Sequence, residues 1–244
     1  MLRSGNPSLR RSTFRNVESA SLNKTMTLDG VVRKSLILLV LLFGSAAFSW
    51  NLYVNEGNMI PLIFGSAIGG FIVALITIFV PKASPITGPL YAILEGLLLG
   101  AISAQYAFYM DGIVVQAIIL TLCVFFVMLT LYATKIIRPT RKFKVGVMVA
   151  TGAIGLAYLL NFILRLFGSQ IPFIHDSGPV GIIISLVIVG VAAMNLILDL
   201  DFIKNAASSS VPKYMEWYAS FTLMVTLVWL YLEILRLLSK LRRR

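Results

Sequence analysis

Apolar residues run in long blocks along this chain, from Ser35 almost to its last residues, with short polar clusters between them. The blocks do not alternate apolar with polar, as the roughly ten-residue strands of a membrane β-barrel would. They predict membrane-crossing helices over Ser35–Tyr53, Met59–Val80, Pro89–Tyr109, Ile113–Ile137, Lys144–Phe167, Gly178–Ile203 and Ser220–Leu241. Each is long enough to cross about 30 Å of hydrocarbon at about 1.5 Å per residue. Prolines punctuate the pattern. Pro81, Pro85 and Pro89 separate spans two and three, Pro139 follows span four, Pro172 and Pro179 bracket the connection before span six, and Pro212 precedes span seven. The connections are short, so successive spans are expected as antiparallel neighbours. The expected organisation is a flexible basic cytoplasmic tail over 1–34, one all-α membrane domain over 35–241 and a basic tail over 242–244. Within the first tail, Thr27-Leu-Asp-Gly30 offers a threonine able to cap a helix entering the membrane. A cleaved signal peptide would be the other reading of Met1–Trp50, but its apolar core is long for that role, and a retained first span fits better.

Composition agrees: 58% of the 244 residues are hydrophobic and 13% charged, about half the charged share of a soluble domain. Mean hydropathy is +0.89. The net charge of +11 would suit nucleic acid, yet the cations lie in tails and short loops beside apolar spans. That placement suits the bilayer and its anionic headgroups, so no nucleic-acid partner is expected. Lys82, Lys135, Arg138, Arg141, Lys142, Lys144, Lys204 and Lys213 fall on the side of the basic N-tail, while Glu56, Asp111, His175 and Asp176 fall opposite. The N-terminus is therefore expected in the cytoplasm. Lys240, Arg242, Arg243 and Arg244 conflict with that rule. Either span seven crosses and carries them outward, or it is a re-entrant helix buried among the others. One cysteine and one histidine leave no His/Cys metal site, and Cys123 is expected as a buried, inert thiol.

The candidate chemistry lies in charges placed inside the membrane, where each costs at least a few kcal/mol. Glu95, Asp199, Asp201 and Glu233 lie in or at the edge of spans, with Arg165 and Arg236 as possible counter-charges. Asn161, Asn195 and Gln116 add amides that would hydrogen-bond between helices, and Gly65–Gly70 and Gly96–Gly100 read as close-packing surfaces. Asn195 and Asp199 share a helix face, as do Trp229 and Glu233. Asp201 points roughly 200° away from Asp199, which assigns Asp199 to the interior and Asp201 to the cytoplasmic edge. Arg236 is within reach of Glu233 as a packing ion pair. No protease, retinal or nucleotide-binding motif is present, convincing internal repeats are lacking, and no soluble domain exists, so an enzyme is not expected.

Leu198-Asp199-Leu-Asp-Phe-Ile203, followed by Leu230-Tyr-Leu-Glu-Ile-Leu-Arg-Leu-Leu238, resembles the end of a Bax-inhibitor-1/YccA-like protein (the transmembrane Bax-inhibitor-motif family). Ser4-Gly-Asn-Pro7, Met26-Thr-Leu-Asp-Gly30 and Glu95-Gly-Leu-Leu-Leu-Gly100 resemble its bacterial branch. The resemblance implies six helices around a central seventh, in a bacterial cytoplasmic membrane. It implies pH-dependent calcium leak, with calcium or another cation as the transported ion and no resident cofactor. It also offers a non-conducting alternative, a regulator that binds a membrane-bound AAA protease or other integral partner. The family's paired carboxylates, a pH sensor on helices six and seven, carry over to Asp199 and Glu233, which would also be the oxygen ligands of a passing cation. Glu95, Arg236 and Asn195 join them as candidate ion-pathway residues. Glu233 replaces the family's Asp, the two positions stand further apart in sequence than the family pattern, and span two has no arginine. Straight helices leave the two carboxylates about 13 Å apart in depth.

Overall fold

The computed structural model describes residues 25–56, 60–169 and 178–243. They form seven helices: α1 (Leu28–Glu56), α2 (Ile60–Phe79), α3 (Ser84–Tyr109), α4 (Ile113–Ala133), α5 (Arg141–Leu166), α6 (Pro179–Ser208) and α7 (Met215–Arg242). All seven are long and apolar enough to cross a membrane. His175 and Asp176 lie outside the described residues.

Most helices exceed the apolar block that predicted them. The helix α1 starts at Leu28, so residues 28–34, expected in the tail, form its first two turns. Its cap is the one expected, with the Gly30 N–H donating to Thr27 Oγ1 at 3.0 Å. Pro89 lies inside α3 rather than before it. Pro85 occupies the first turn, where no intrahelical N–H is needed, and the missing Pro89 donor falls only one turn later. The Thr87 hydroxyl bonds the Ala83 carbonyl at 3.1 Å nearby. At the other extreme, α4 stops at Ala133, short of Ile137, because Lys135 turns into the left-handed region (φ 59°).

The helix α7 is the most buried span, and the distribution of its apolar residues explains why. Phe221, Met224 and Val228 pack with Leu38, Leu42, Val73, Tyr91 and Leu99 of α1–α3. Leu223, Leu230 and Ile234, on another face, pack with Ile113, Ala117, Ala192 and Leu196 of α4 and α6. With apolar residues facing both clusters, α7 belongs at the centre, and its buried charges Glu216, Glu233 and Lys240 find partners there. Its direct neighbours are α1, α3, α4 and α6; α2 packs along α3 and α5 chiefly along α6, on the outer side of those four.

The first and last described residues lie at opposite ends of the bundle. Met26 N–H bonds the Val211 carbonyl at 2.9 Å, and Ser84 Oγ bonds the Tyr214 carbonyl at 3.0 Å. The start of α1, the α2–α3 connection and the α6–α7 connection therefore share one end, with Lys144 and Lys204 also there; we call it the basic end. Arg242, by contrast, donates to the Asp111 carbonyl in the α3–α4 connection and to Gln116 Oε1 in the first turn of α4. The helix α7 is thus unbroken from one end to the other, and the re-entrant alternative is not the one adopted. Gln116, expected as a buried amide, is instead exposed at that far end. Cys123 is likewise exposed rather than buried, on an outer helix whose apolar side would meet lipid.

The helices α1 and α3 make the closest pairing, through the Gly96-x-x-x-Gly100 stripe. A Cβ on Gly96 would collide with Ser45 Oγ and the Leu42 carbonyl, and one on Gly100 with the Ala46 backbone. Small residues let backbones approach this way in membranes. Gly100→Ala is expected to cost about 1–3 kcal/mol by overpacking, read as a lowered melting midpoint in detergent micelles. Gly65→Ala, where nothing lies within 4 Å, should leave the midpoint unchanged.

Candidate functional site

Glu233 is 1% exposed on α7 and is fully engaged. Arg236, one turn on, donates from Nη1 to both carboxylate oxygens at 2.9 Å. The Tyr158 hydroxyl on α5 donates to Oε1 at 2.8 Å, and the Trp229 indole N–H donates to the same atom at 3.2 Å. Arg236 also reaches Tyr158, lying over its ring with the guanidinium carbon 5.0 Å from the centroid. The shared Trp229–Glu233 face and the Arg236 pair are both legible from helical spacing. Tyr158 was not foreseen; its only signal is a lone phenol within an otherwise apolar stretch of α5.

Asp199 is elsewhere. Its side chain faces the Thr226 hydroxyl on α7, a group that also lies 3.3 Å from the Thr222 carbonyl. The other oxygen, Oδ2, is enclosed without a hydrogen-bond partner. Lys240 Nζ, further along α7, donates to Ser185 Oγ at 2.9 Å and to the Gly181 carbonyl at 3.0 Å. Those two contacts set one antiparallel register for α6 and α7, and in that register Glu233 stands level with Ala192. Asp199 is then seven residues, about 10 Å, away along the seam. The two carboxylates therefore do not form a pair. The sequence spacing signalled this gap, and Arg236 fills the place beside Glu233 that Asp199 would have taken.

The remaining candidates are dispersed. Glu95 on α3 sits beside Tyr91, one turn earlier, and faces Gly70 of α2, outside the α6–α7 seam. Asn195 donates to Thr151 Oγ1 on α5 at 2.7 Å, a bond between helices as expected of a buried amide. Asp201 pairs with Lys144 and accepts from Asn205 at 2.9 Å at the basic end. Among the described residues no group of three or more His, Cys, Asp or Glu could hold a metal ion. Asp199 and Glu233 together do not make a cation site, since one carboxylate is already neutralised by Arg236 and the other lies two turns away.

A second buried carboxylate cluster lies at the basic end and escaped the pattern reading, which began span seven only at Ser220. Glu216, 1% exposed in the first turn of α7, is ion-paired with Lys34 of α1. Its Oε1 accepts from both the backbone N–H and the hydroxyl of Thr27, each at 3.0 Å. In a capping box, a Glu at the third helical position closes back on the N-cap N–H. Here that position is Gly30, and the carboxylate arrives from α7 instead. A Cβ on Gly30 would occupy the space of the Glu216 carboxylate.

A seven-helix bundle with a central charged helix defines an integral membrane protein. The sequence model of the family described as Bax inhibitor 1 like matches residues 6–243, and the chain belongs to that family. No curated protein matches it, and no solved structure does.

Proposed function

We propose that this protein is a pH-sensitive cation leak pathway, with calcium as the transported ion. In this reading it sits in a bacterial cytoplasmic membrane with the basic end facing the cytoplasm. Asp199 is the group whose protonation sets the state of the α6–α7 seam, and the Glu233–Arg236–Tyr158 cluster holds α7 in register against α5. The observation that carries the reading is the enclosed, unpartnered Oδ2 of Asp199. A buried acceptor left unsatisfied is costly, and more so when charged. A proton, a water or a passing hard cation relieves that cost, so the charge on Asp199 couples to how tightly the seam closes.

Calcium flux from proteoliposomes of the full chain tests this. One titrating group can change the ratio of two states by up to about tenfold per pH unit. Wild-type flux is expected to vary with pH within that bound, Asp199→Asn flux to be flat, and Glu233→Gln flux to keep its pH dependence. Unchanged pH dependence in Asp199→Asn would remove Asp199 from the role. Flux absent at every pH would favour the other reading, a non-conducting regulator that binds a membrane protease.

A further inference from the structure

At the basic end, the seam between α5 and α6 opens into a groove of about 420 Å³, closed at its base by the start of α7. Its lining is graded along the helices. Met148 and Leu198 lie furthest into the span, Phe202 and Met215 follow, and Lys144 and Asn205 stand at the rim. The one acid in the lining, Asp201, is neutralised by Lys144 and bonded by Asn205. Two further cations neighbour lining residues along the chain. Arg141 stands one turn before Lys144 on the same face of α5, and Lys213 lies between the lining residues Val211 and Met215. Both are exposed, and among the described residues neither is in an ion pair. The helix α5 is also the least buried of the seven spans.

We propose that this groove binds one anionic phospholipid, with its phosphate between Arg141 and Lys213 and an acyl chain along Met148, Leu198 and Phe202. The rim offers net positive charge at headgroup depth, and the depth of the groove offers only apolar contacts to a chain. A zwitterionic lipid would bring its own cation to a rim already carrying two. Each cation near the surface is worth about fivefold in affinity for an anionic headgroup. The site is independent of whether the protein conducts ions.

Native mass spectrometry of the full chain, released from micelles holding equal phosphatidylglycerol and phosphatidylcholine, tests the assignment. Wild type is expected to retain one phosphatidylglycerol in preference to phosphatidylcholine. The double variant Arg141→Gln/Lys213→Gln changes only exposed groups and should keep the wild-type melting midpoint in lipid-free micelles. Its retention is expected to fall roughly twentyfold or more. Met148→Trp, which fills the groove, should reduce retention with the cations intact. Equal retention of the two lipids by wild type, or unchanged retention in the double variant, would overturn the proposal. So would displacement of the lipid by inorganic phosphate, which would make this a site for a free anion.

Discussion

Arg236→Leu is expected to destabilise the bundle by about 3–5 kcal/mol, the cost of leaving a buried carboxylate without its cation. Glu233 is 1% exposed and cannot turn to water, whereas Arg236 is 28% exposed. The asymmetry fixes the order of the variants. Glu233→Leu leaves a partly exposed arginine about 9 Å from the far end of α7, close enough to snorkel toward the interface, and should cost less. Glu233→Leu/Arg236→Leu should recover much of the single-variant loss, because no isolated charge remains. Tyr158→Phe removes one hydrogen bond from the carboxylate and should cost about 1–3 kcal/mol. Melting midpoints of the four purified variants in one detergent give the comparison. If Glu233→Leu proves the more damaging change, the cluster is not organised around a carboxylate that needs neutralising.

Glu216→Ala is expected to cost about 3 kcal/mol, since it strands the Lys34 ammonium and takes the acceptor from Thr27. Gly30→Ala should also destabilise, for a different reason: its methyl displaces the carboxylate. The two effects act on one group, so they should not add. In the Glu216→Ala background the collision is gone, and alanine at position 30 should become close to neutral or mildly favourable, being the better helix former. Additive losses in the double variant would mean that Gly30 serves something other than admitting Glu216.

How much of this was legible in the sequence depended on the range over which each feature is determined. Helix number, order and sense follow from apolar blocks and punctuation, which are local. So do the Thr27 cap, the Trp229–Glu233 face and the Glu233–Arg236 pair, each set within one turn. Helix ends were harder, because the apolar block marks the hydrocarbon while the helix continues into the headgroup zone; α7 starts five residues before Ser220. The misplaced start hid Glu216. Partners on other helices were beyond reach, Tyr158 for Glu233 and Thr226 for Asp199 above all, since they depend on the rotation and register of antiparallel neighbours. The motif invited a pairing of Asp199 with Glu233. The rise per residue argued against it, and the register of α6 on α7 agrees with the rise.

The cap shared between Thr27 and Glu216 also bears on how the chain is made. The helix α1, made before the other six described helices, has its amino-terminal turn completed by a residue of α7. Until α7 is inserted, the N–H of Thr27 and the charge of Lys34 must be met by water or headgroups at the membrane surface. The closing step of assembly is therefore the one that ties α1 down, and a chain cut short before Glu216 would carry an unfastened α1 however well its other spans had been inserted.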